Sequence, residues 1–342
     1  MVSDSLAIGK LHPKVLKQLV LSHLGAADPR VLLGPSVGGD ASVIDFGQKV
    51  LVVHSDPITG AFENLGWLAV NVCANDIATR GIRPLWILTV LLLPENLTLT
   101  QLESITTQIN QAAKQLGVAV VGGHSEVTSS INRPVIVTTA IGETISKRFV
   151  RTTEAKVGDS IIVTKGAAIE GTAILSHELS KSLGKKVEKK VISRARKFIR
   201  MISVVEDAMT AVEVGGVHAM HDATEGGIAA GLQEIAWASN VGIVAHEQRI
   251  PLYEETRLIC RALNIDPLKT ISSGTLIISA LPEKAKKIVA ALQEAHIPAS
   301  IIGRIVDKKK GCYILRSDGT RLDLSKPVRE ELWRVLPKLF KL

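Results

Sequence analysis

The chain has 342 residues, of which 46% are hydrophobic, 22% charged and only 3% aromatic. That balance excludes a disordered chain, and the length calls for two domains whose cores are filled by Val, Ile, Leu and Ala. Lys plus Arg outnumber Asp plus Glu by 41 to 33, a net +8 that suits anionic small molecules as well as nucleic acid or membrane surfaces.

A first helix is expected over His12 to Leu24, where Val15, Leu16, Leu19 and Val20 recur at helical spacing and Gly25 offers a stop. GPSVGGDASVI then reads as a glycine-rich turn entering a strand, and Lys49 to His54 as a second strand ending at Ser55 and Asp56. Glu63 to Arg80 reads as a helix, Leu85 to Leu93 as a buried strand, Thr100 to Leu116 as a second long helix and Val118 to Val121 as a short strand closed by GGHSEVT. Pro134 to Ile141 is β-rich. The polar stretch Arg151 to Asp159 marks a domain boundary, giving units 1–150 and 151–342. Strands follow at Ser160 to Thr164, Thr275 to Ala280 and Ser300 to Val306, with a helix over Pro282 to His296. No low-complexity tract or short repeat interrupts them.

Three features exclude other classes. Cys73, Cys260 and Cys312 lie far apart with no CxxC spacing, so they form neither a metal knuckle nor a disulfide framework. MVSDSLAIGK lacks a signal-peptide pattern, and the longest apolar run is far short of the roughly 20 residues that span a bilayer. A cytoplasmic protein without a membrane partner is expected. The basic stretch Lys181 to Arg200 reads as a solvated helical face, because a nucleic-acid surface would set aromatic platforms among the charges and only Phe198 is near.

The candidate chemistry lies in carboxylates and glycine turns. Asp76 continues the helical face of Leu65, Ala69 and Val72, which points its carboxylate inward and demands a basic partner or a metal ion. Asn75 beside it offers an oxygen of the kind hard cations accept. Asp40, Asp56 and Glu126 stand at other turns and strand ends, and such a set in one cleft suits a magnesium nucleotide. Gly38-Gly39 and Gly122-Gly123 let backbone N–H groups approach an anion. In HDATEGGIAAGLQEIA, Asp222, Thr224 and Glu225 precede Gly226-Gly227 at the start of an amphipathic helix; a phosphate site and an ordinary acidic N-cap both fit. Ser272-Ser273-Gly274 is a second small-residue turn of this kind. His124 and His221 flank these turns, where they are either hydrogen-bonded structural residues or proton carriers. No GxxxxGK[ST] or GxGxxG appears, so P-loop and dinucleotide folds are excluded.

The ordered motifs GGDASVI, HSDPITG, LAVNVCANDIATRGIRPLWI, GGHSEVT, VGDSIIVTKG, HDATEGGIAAGLQEIA, SSGTLIIS and IGRIVD resemble the AIR synthase-related (PurM-like) superfamily over nearly the whole chain, most of all its hydrogenase expression/formation (HypE) branch. The resemblance implies an N-terminal α/β domain that dimerises through its sheet, a C-terminal α+β domain, and ATP with Mg2+ bound between them. It implies Asp40, Asp56 and Asp76 as the Mg-ATP carboxylates, Asn75 adjacent, and Gly122, Gly123 and Glu126 on the phosphate side, with Asp76, His124 and Glu126 as the catalytic set. There are departures. Gly39 stands where the branch has a second Asp, His124 where relatives often have Asp or Glu, and Glu225 where the branch has Arg; Ile169-Glu170-Gly171 replaces Asp-His-Gly. The chain closes on LPKLFKL, without the branch's terminal cysteine, and has no cysteine near Lys10.

Two functions follow as expectations. One is an ATP-dependent phosphotransferase or synthase acting on a small acceptor; the other is a non-catalytic ATP-binding accessory protein in metalloenzyme maturation. Gly39, Glu225 and the missing terminal thiol favour the second. A nucleic-acid binder using Lys181 to Arg200 is a third and weaker reading.

Overall fold

Two mixed sheets, one from each half of the chain, organise the structure, a computed structural model that describes residues 11–59, 63–145 and 149–336. Lys10, Gly60 of HSDPITG and the residues after Leu336 lie outside the described residues. The first sheet is built from β1 (Val31–Leu33), β2 (Ser42–Phe46), β3 (Lys49–Ile58), β4 (Pro84–Leu93), β5 (Ala119–Val127) and β6 (Val135–Thr144), in the order β1-β2-β3-β6-β4-β5. Every neighbour is antiparallel except β4 and β5. A parallel pair needs a long crossover, and the helix Leu99–Leu116 supplies it, entered by a Thr98/Gln101 capping box and ended by Gly117 in the left-handed region.

The second sheet holds β7 (Ser160–Thr164), β8 (Val217–Asp222), β9 (Gly242–His246), β10 (Leu276–Ala280), β11 (Ala299–Val306), β12 (Cys312–Leu315) and β13 (Arg321–Asp323), ordered β13-β12-β9-β11-β7-β10-β8. Again one pair, β12 with β9, is parallel. We label the helices of eight or more residues α1 (Leu65–Ala78), α2 (Leu99–Leu116), α3 (Ile169–Glu178), α4 (Lys189–Arg196), α5 (Val205–Val214), α6 (Gly227–Ser239), α7 (Glu254–Leu263) and α8 (Pro282–Glu294). No described helix is long and apolar enough to cross a membrane.

Helix α1 is the centre of the molecule. Every one of its residues but Trp67 is buried, because it packs on β3 and β6, against α2, and toward α5 of the other half. The inward direction of Asp76 therefore comes from burial on all sides rather than from one apolar stripe. Asn75, expected as an oxygen ligand, has its amide fully used. Its Nδ2 donates to the Ile202 carbonyl at 2.9 Å and its Oδ1 accepts from the Val204 N–H at 2.8 Å, tying α1 to the loop before α5.

Three expected elements differ in extent. The N-terminal helix is a short α turn, Pro13–Val15, continuing as a π turn over Leu16–Val20. Strand β3 runs on to Ile58, so Asp56 lies within a strand rather than at its end. Strand β5 absorbs the whole of GGHSEV, where a closing turn was expected. Gly123 has φ +149° and a Cβ there would sit 1.9 Å from the Thr89 carbonyl oxygen, so the glycine serves the close approach of β4.

Asn75→Ala would strip buried partners from Ile202 and Val204. A loss of about 2–6 kcal/mol is expected at about 1–3 kcal/mol per orphaned group, read from the urea midpoint.

Candidate functional site

The site begins with a chain of charges that crosses from one half to the other. Asp40, on the turn before β2, accepts from Arg80 Nη2 at 2.7 Å and lies 2.5 Å from His221 Nδ1 on β8. Arg80, 1% exposed, follows α1 and also donates to Thr152 Oγ1 at 2.9 Å. His221 turns its other nitrogen to Glu234 Oε2 of α6, again at 2.5 Å. Burial alone would raise the Asp40 carboxyl, yet His221 and Arg80 hold it below the ordinary carboxylate range. Burial would lower His221, but Asp40 and Glu234 push it well above its ordinary 6.5. Both ring nitrogens thus face carboxylates, the arrangement of an imidazolium.

Beside this chain stands a second group. His54 and Asp56 are two residues apart on β3 and so share a face, and Asp76 of α1 faces them; their ligand atoms lie within 4.8 Å of one another. His54 Nε2 is 3.4 Å from Asp76 Oδ2, and His54 Nδ1 is 2.5 Å from the Asp40 backbone carbonyl. Burial first, then Asp40 and Asp56, push the Asp76 carboxyl well above the ordinary range. A buried carboxylate beside two others fits a divalent cation, which would offset the crowding of negative charge. Asp40, His221 and Asp222 form an adjoining group with the same spread.

The turn before α6 is built as an anion seat, and a side chain sits in it. Gly226 and Gly227 have φ +79° and +60°, and a Cβ on Gly227 would meet the Thr270 carbonyl oxygen at 2.5 Å. The Gly226 N–H donates to Glu330 Oε2 at 2.5 Å, and Glu330 Oε1 also accepts from Ile271 N at 3.1 Å and Leu332 N at 2.7 Å. Burial nevertheless raises Glu330 to about 7. Glu170, at the start of α3, is likewise pushed up to about 7 by burial, with Glu330, Asp56 and Glu225 adding repulsion.

The structure thus gathers Asp56 and Asp76, with Asp40 and Asp222 adjoining. It does not bring His124 and Glu126 to them. These two pair at 3.1 Å on the edge strand β5 with side chains 62% and 50% exposed. Gly122 and Gly123 lie on the same exposed edge. Gly38 has φ +73°, and a Cβ there would lie 3.0 Å from the Glu234 carbonyl oxygen, so its small size serves contact between the halves. Thr224 closes the α6 turn, its carbonyl accepting from Gly227 N at 2.9 Å and Ser272 N at 3.4 Å.

Sequence reasoning missed His54, Arg80, Glu234 and Glu330. His54 carried a signal, being two residues from Asp56 on a strand, whereas Arg80 lies past the end of α1 and pairs with the distant Asp40. Glu330 carried none, being local to no motif. The basic stretch lines an open hollow of about 440 Å³ with Lys181, Lys185, Lys189 and Arg196, sharing no residue with the carboxylate groups.

Comparison with known proteins covers both halves. Residues 38–144 match the family described as AIR synthase related protein, N-terminal domain, and residues 156–315 its C-terminal domain. A Methanocaldococcus jannaschii protein named for hydrogenase expression/formation is 30% identical over 96% of this chain and 97% of its own length. Carbamoyl dehydratase HypE of Rhizobium leguminosarum bv. viciae is 32% identical over 79% of this chain and 77% of its own length. The solved hydrogenase maturation protein HypE in complex with ATP superposes with a TM-score of 0.71 at 25% identity, covering 96% of this chain and 97% of that one.

The raised Glu170 sets a pH dependence. Its folded value of about 7 exceeds its ordinary 4.5, so its contribution is full below 4.5 and is lost as pH rises through about 7. Glu170→Gln is expected to flatten that fall and to exceed the wild type in stability by about 3 kcal/mol at about pH 8, measured by denaturant titration across pH.

Proposed function

The chain belongs to the AIR synthase-related family, and we propose that it is an ATP-dependent enzyme of phosphoryl-transfer or synthase type, acting on a small acceptor. The observation that carries this reading is the group His54, Asp56 and Asp76, a partly buried set of ligands beside a fixed charge chain. The relative solved with ATP spans nearly all of both chains, which supports a nucleotide here as well. We divide the chain into units 1–150 and 151–342, with the nucleotide between them. We place it in a reducing compartment such as the cytoplasm, in keeping with three unpaired thiols.

Asp56 and Asp76 would hold the divalent ion, Mg2+ in the plain reading. Asp40 holds Arg80 and His221 in place at the edge of the group. A bound divalent ion supplies neutralisation of the charge that develops on the phosphates. The chain's own part would be to orient the triphosphate with the Gly226 N–H once the Glu330 carboxylate leaves it, and to exclude water by the contact of the halves at Gly38 and Glu234.

Strand β5 supports a homodimer. It is exposed along its whole length, with Val120, Val121 and Val127 at 48%, 56% and 65%, and an open edge with apolar side chains is a pairing surface. His124 and Glu126 lie on it, and in a dimer they would act at the interface rather than in the buried group.

One observation favours the accessory reading. Cys73 and Cys260 are buried, and burial pushes the Cys260 and Cys312 thiols up to about 12. Burial raises all three thiols, so none is a poised thiolate nucleophile.

Asp76→Asn is expected to cut ATP turnover on the order of 10²-fold with an unchanged circular dichroism spectrum; full turnover would refute the assignment. Calorimetry of ATP with Mg2+ separates the two readings, since uptake without turnover over candidate acceptors supports the accessory role. Val121→Lys is expected to yield a monomer by sedimentation, and a persistent dimer would remove β5 as the interface.

A further inference from the structure

We propose that the basic hollow on the second half is an anion site in its own right. Its ligand is an oligophosphate, a compact chain of phosphate groups that is either free or the end of a nucleotide. The hollow shares no residue with the carboxylate groups and stands apart from the function proposed above. Residues 181–200 hold nine basic side chains against the single acid Glu188, so this stretch alone equals the net +8 of the chain. The rest of the chain is balanced, and the field that draws an anion is local to this face.

The cations of the stretch divide by what they touch. Arg194 pairs with Glu254 at 3.2 Å and with Glu255 at 2.5 Å, and Lys186 Nζ donates to the Ala262 carbonyl at 3.1 Å. These contacts tie the stretch to α7. Leu183, Val187, Val191 and Ala195 are buried in the core, so the helical turn Ser180–Leu183 and α4 keep a fixed spacing. Lys181, Lys185, Lys189 and Arg196 line the hollow, and among the described residues none of the four forms an ion pair. Arg196 Nε donates to the Ser176 carbonyl at 3.3 Å, which orients its guanidinium.

Local helix chemistry runs against this arrangement. α4 starts with no acid in its first turn and no side-chain cap, and Lys189 and Lys190 stand there instead. A helix N-terminus carries partial positive charge, which favours an acid and disfavours a cation. Four like charges around one hollow add repulsion. A bound polyanion relieves both costs.

Size and lining give the class of ligand. A hollow of about 440 Å³ suits a small molecule. Its lining holds no aromatic ring, so a strand of nucleic acid finds no stacking platform. It holds no carboxylate either, so a cationic ligand finds no partner. Lysines meet phosphate as point charges and Arg196 adds a planar fork.

Calorimetry of the full chain with tripolyphosphate, without divalent ions, is expected to show one saturable site whose affinity falls steeply with added sodium chloride. Lys185→Ala/Lys189→Ala should weaken binding at least about tenfold, with an unchanged circular dichroism spectrum. Lys190→Ala/Lys197→Ala removes the same charge from the same stretch outside the hollow, and should leave affinity within about twofold. Metal-free ATP tells the two sources apart. Affinity equal to that of tripolyphosphate means that the phosphate chain alone is read, and tighter binding lost with Lys185 and Lys189 means that a nucleotide brings it. Equal weakening by both double variants would reduce the hollow to a diffuse positive field. Binding that survives Lys185→Ala/Lys189→Ala would place the anion elsewhere, and a glutamate-rich peptide held more tightly than tripolyphosphate would make this a protein-docking face. Each of these results overturns the proposal, as does no uptake at millimolar tripolyphosphate.

Discussion

A carboxylate withdrawn from water and held by two cations is the constraint on which the structure depends. Asp40 comes from the first half, Arg80 from the end of α1, and His221 from β8 of the second half. Removing either cation would leave Asp40 with one partner in place of two, and removing both would leave its charge buried and uncompensated, at a cost of about 3–5 kcal/mol. The two halves therefore cannot slide past each other without breaking this chain, which continues through His221 to Glu234 on α6. Gly38 packs against the backbone of that same Glu234, so charge and close packing fix one interface together.

This fixed chain separates two roles that carboxylates play here. Asp40 has its oxygens engaged and acts in holding the halves together. Asp56 and Asp76 lie beside it with a histidine, and in the proposed function a cation would relieve their crowding. The structural ion pairs thus fix the backbone from which the proposed ligands project. Glu330 adds a third use, filling the N–H groups before α6 with a carboxylate of the chain itself. An anionic ligand at that turn would have to displace it.

Much of this was legible in the amino-acid order. The two halves, most helices and strands and the Gly226-Gly227 helix start follow from periodicity and turn chemistry; Asp76 does point inward, but because its helix is buried all round. What failed did so for identifiable reasons. β3 and β5 extend past the residues that looked like strand ends, because ladder pairing with β6 and β4 overrides local glycine and polar signals. Asn75 looked like a ligand because its partners, Ile202 and Val204, are backbone groups more than a hundred residues away, which no local pattern encodes. His124 and Glu126 sat in the right motif but on an exposed edge, since sequence alone does not show which strand lacks an outer neighbour. His54 is readable from its spacing to Asp56 on one strand face.

The most direct measurement is a crystal structure of the chain with Mn2+ and a non-hydrolysable ATP analogue. The account predicts one ion among His54, Asp56 and Asp76 with phosphate oxygens completing its shell, and Asp40 still bound to Arg80 and His221. An ion seated elsewhere, or phosphates bound with Asp56 and Asp76 left bare, would contradict it.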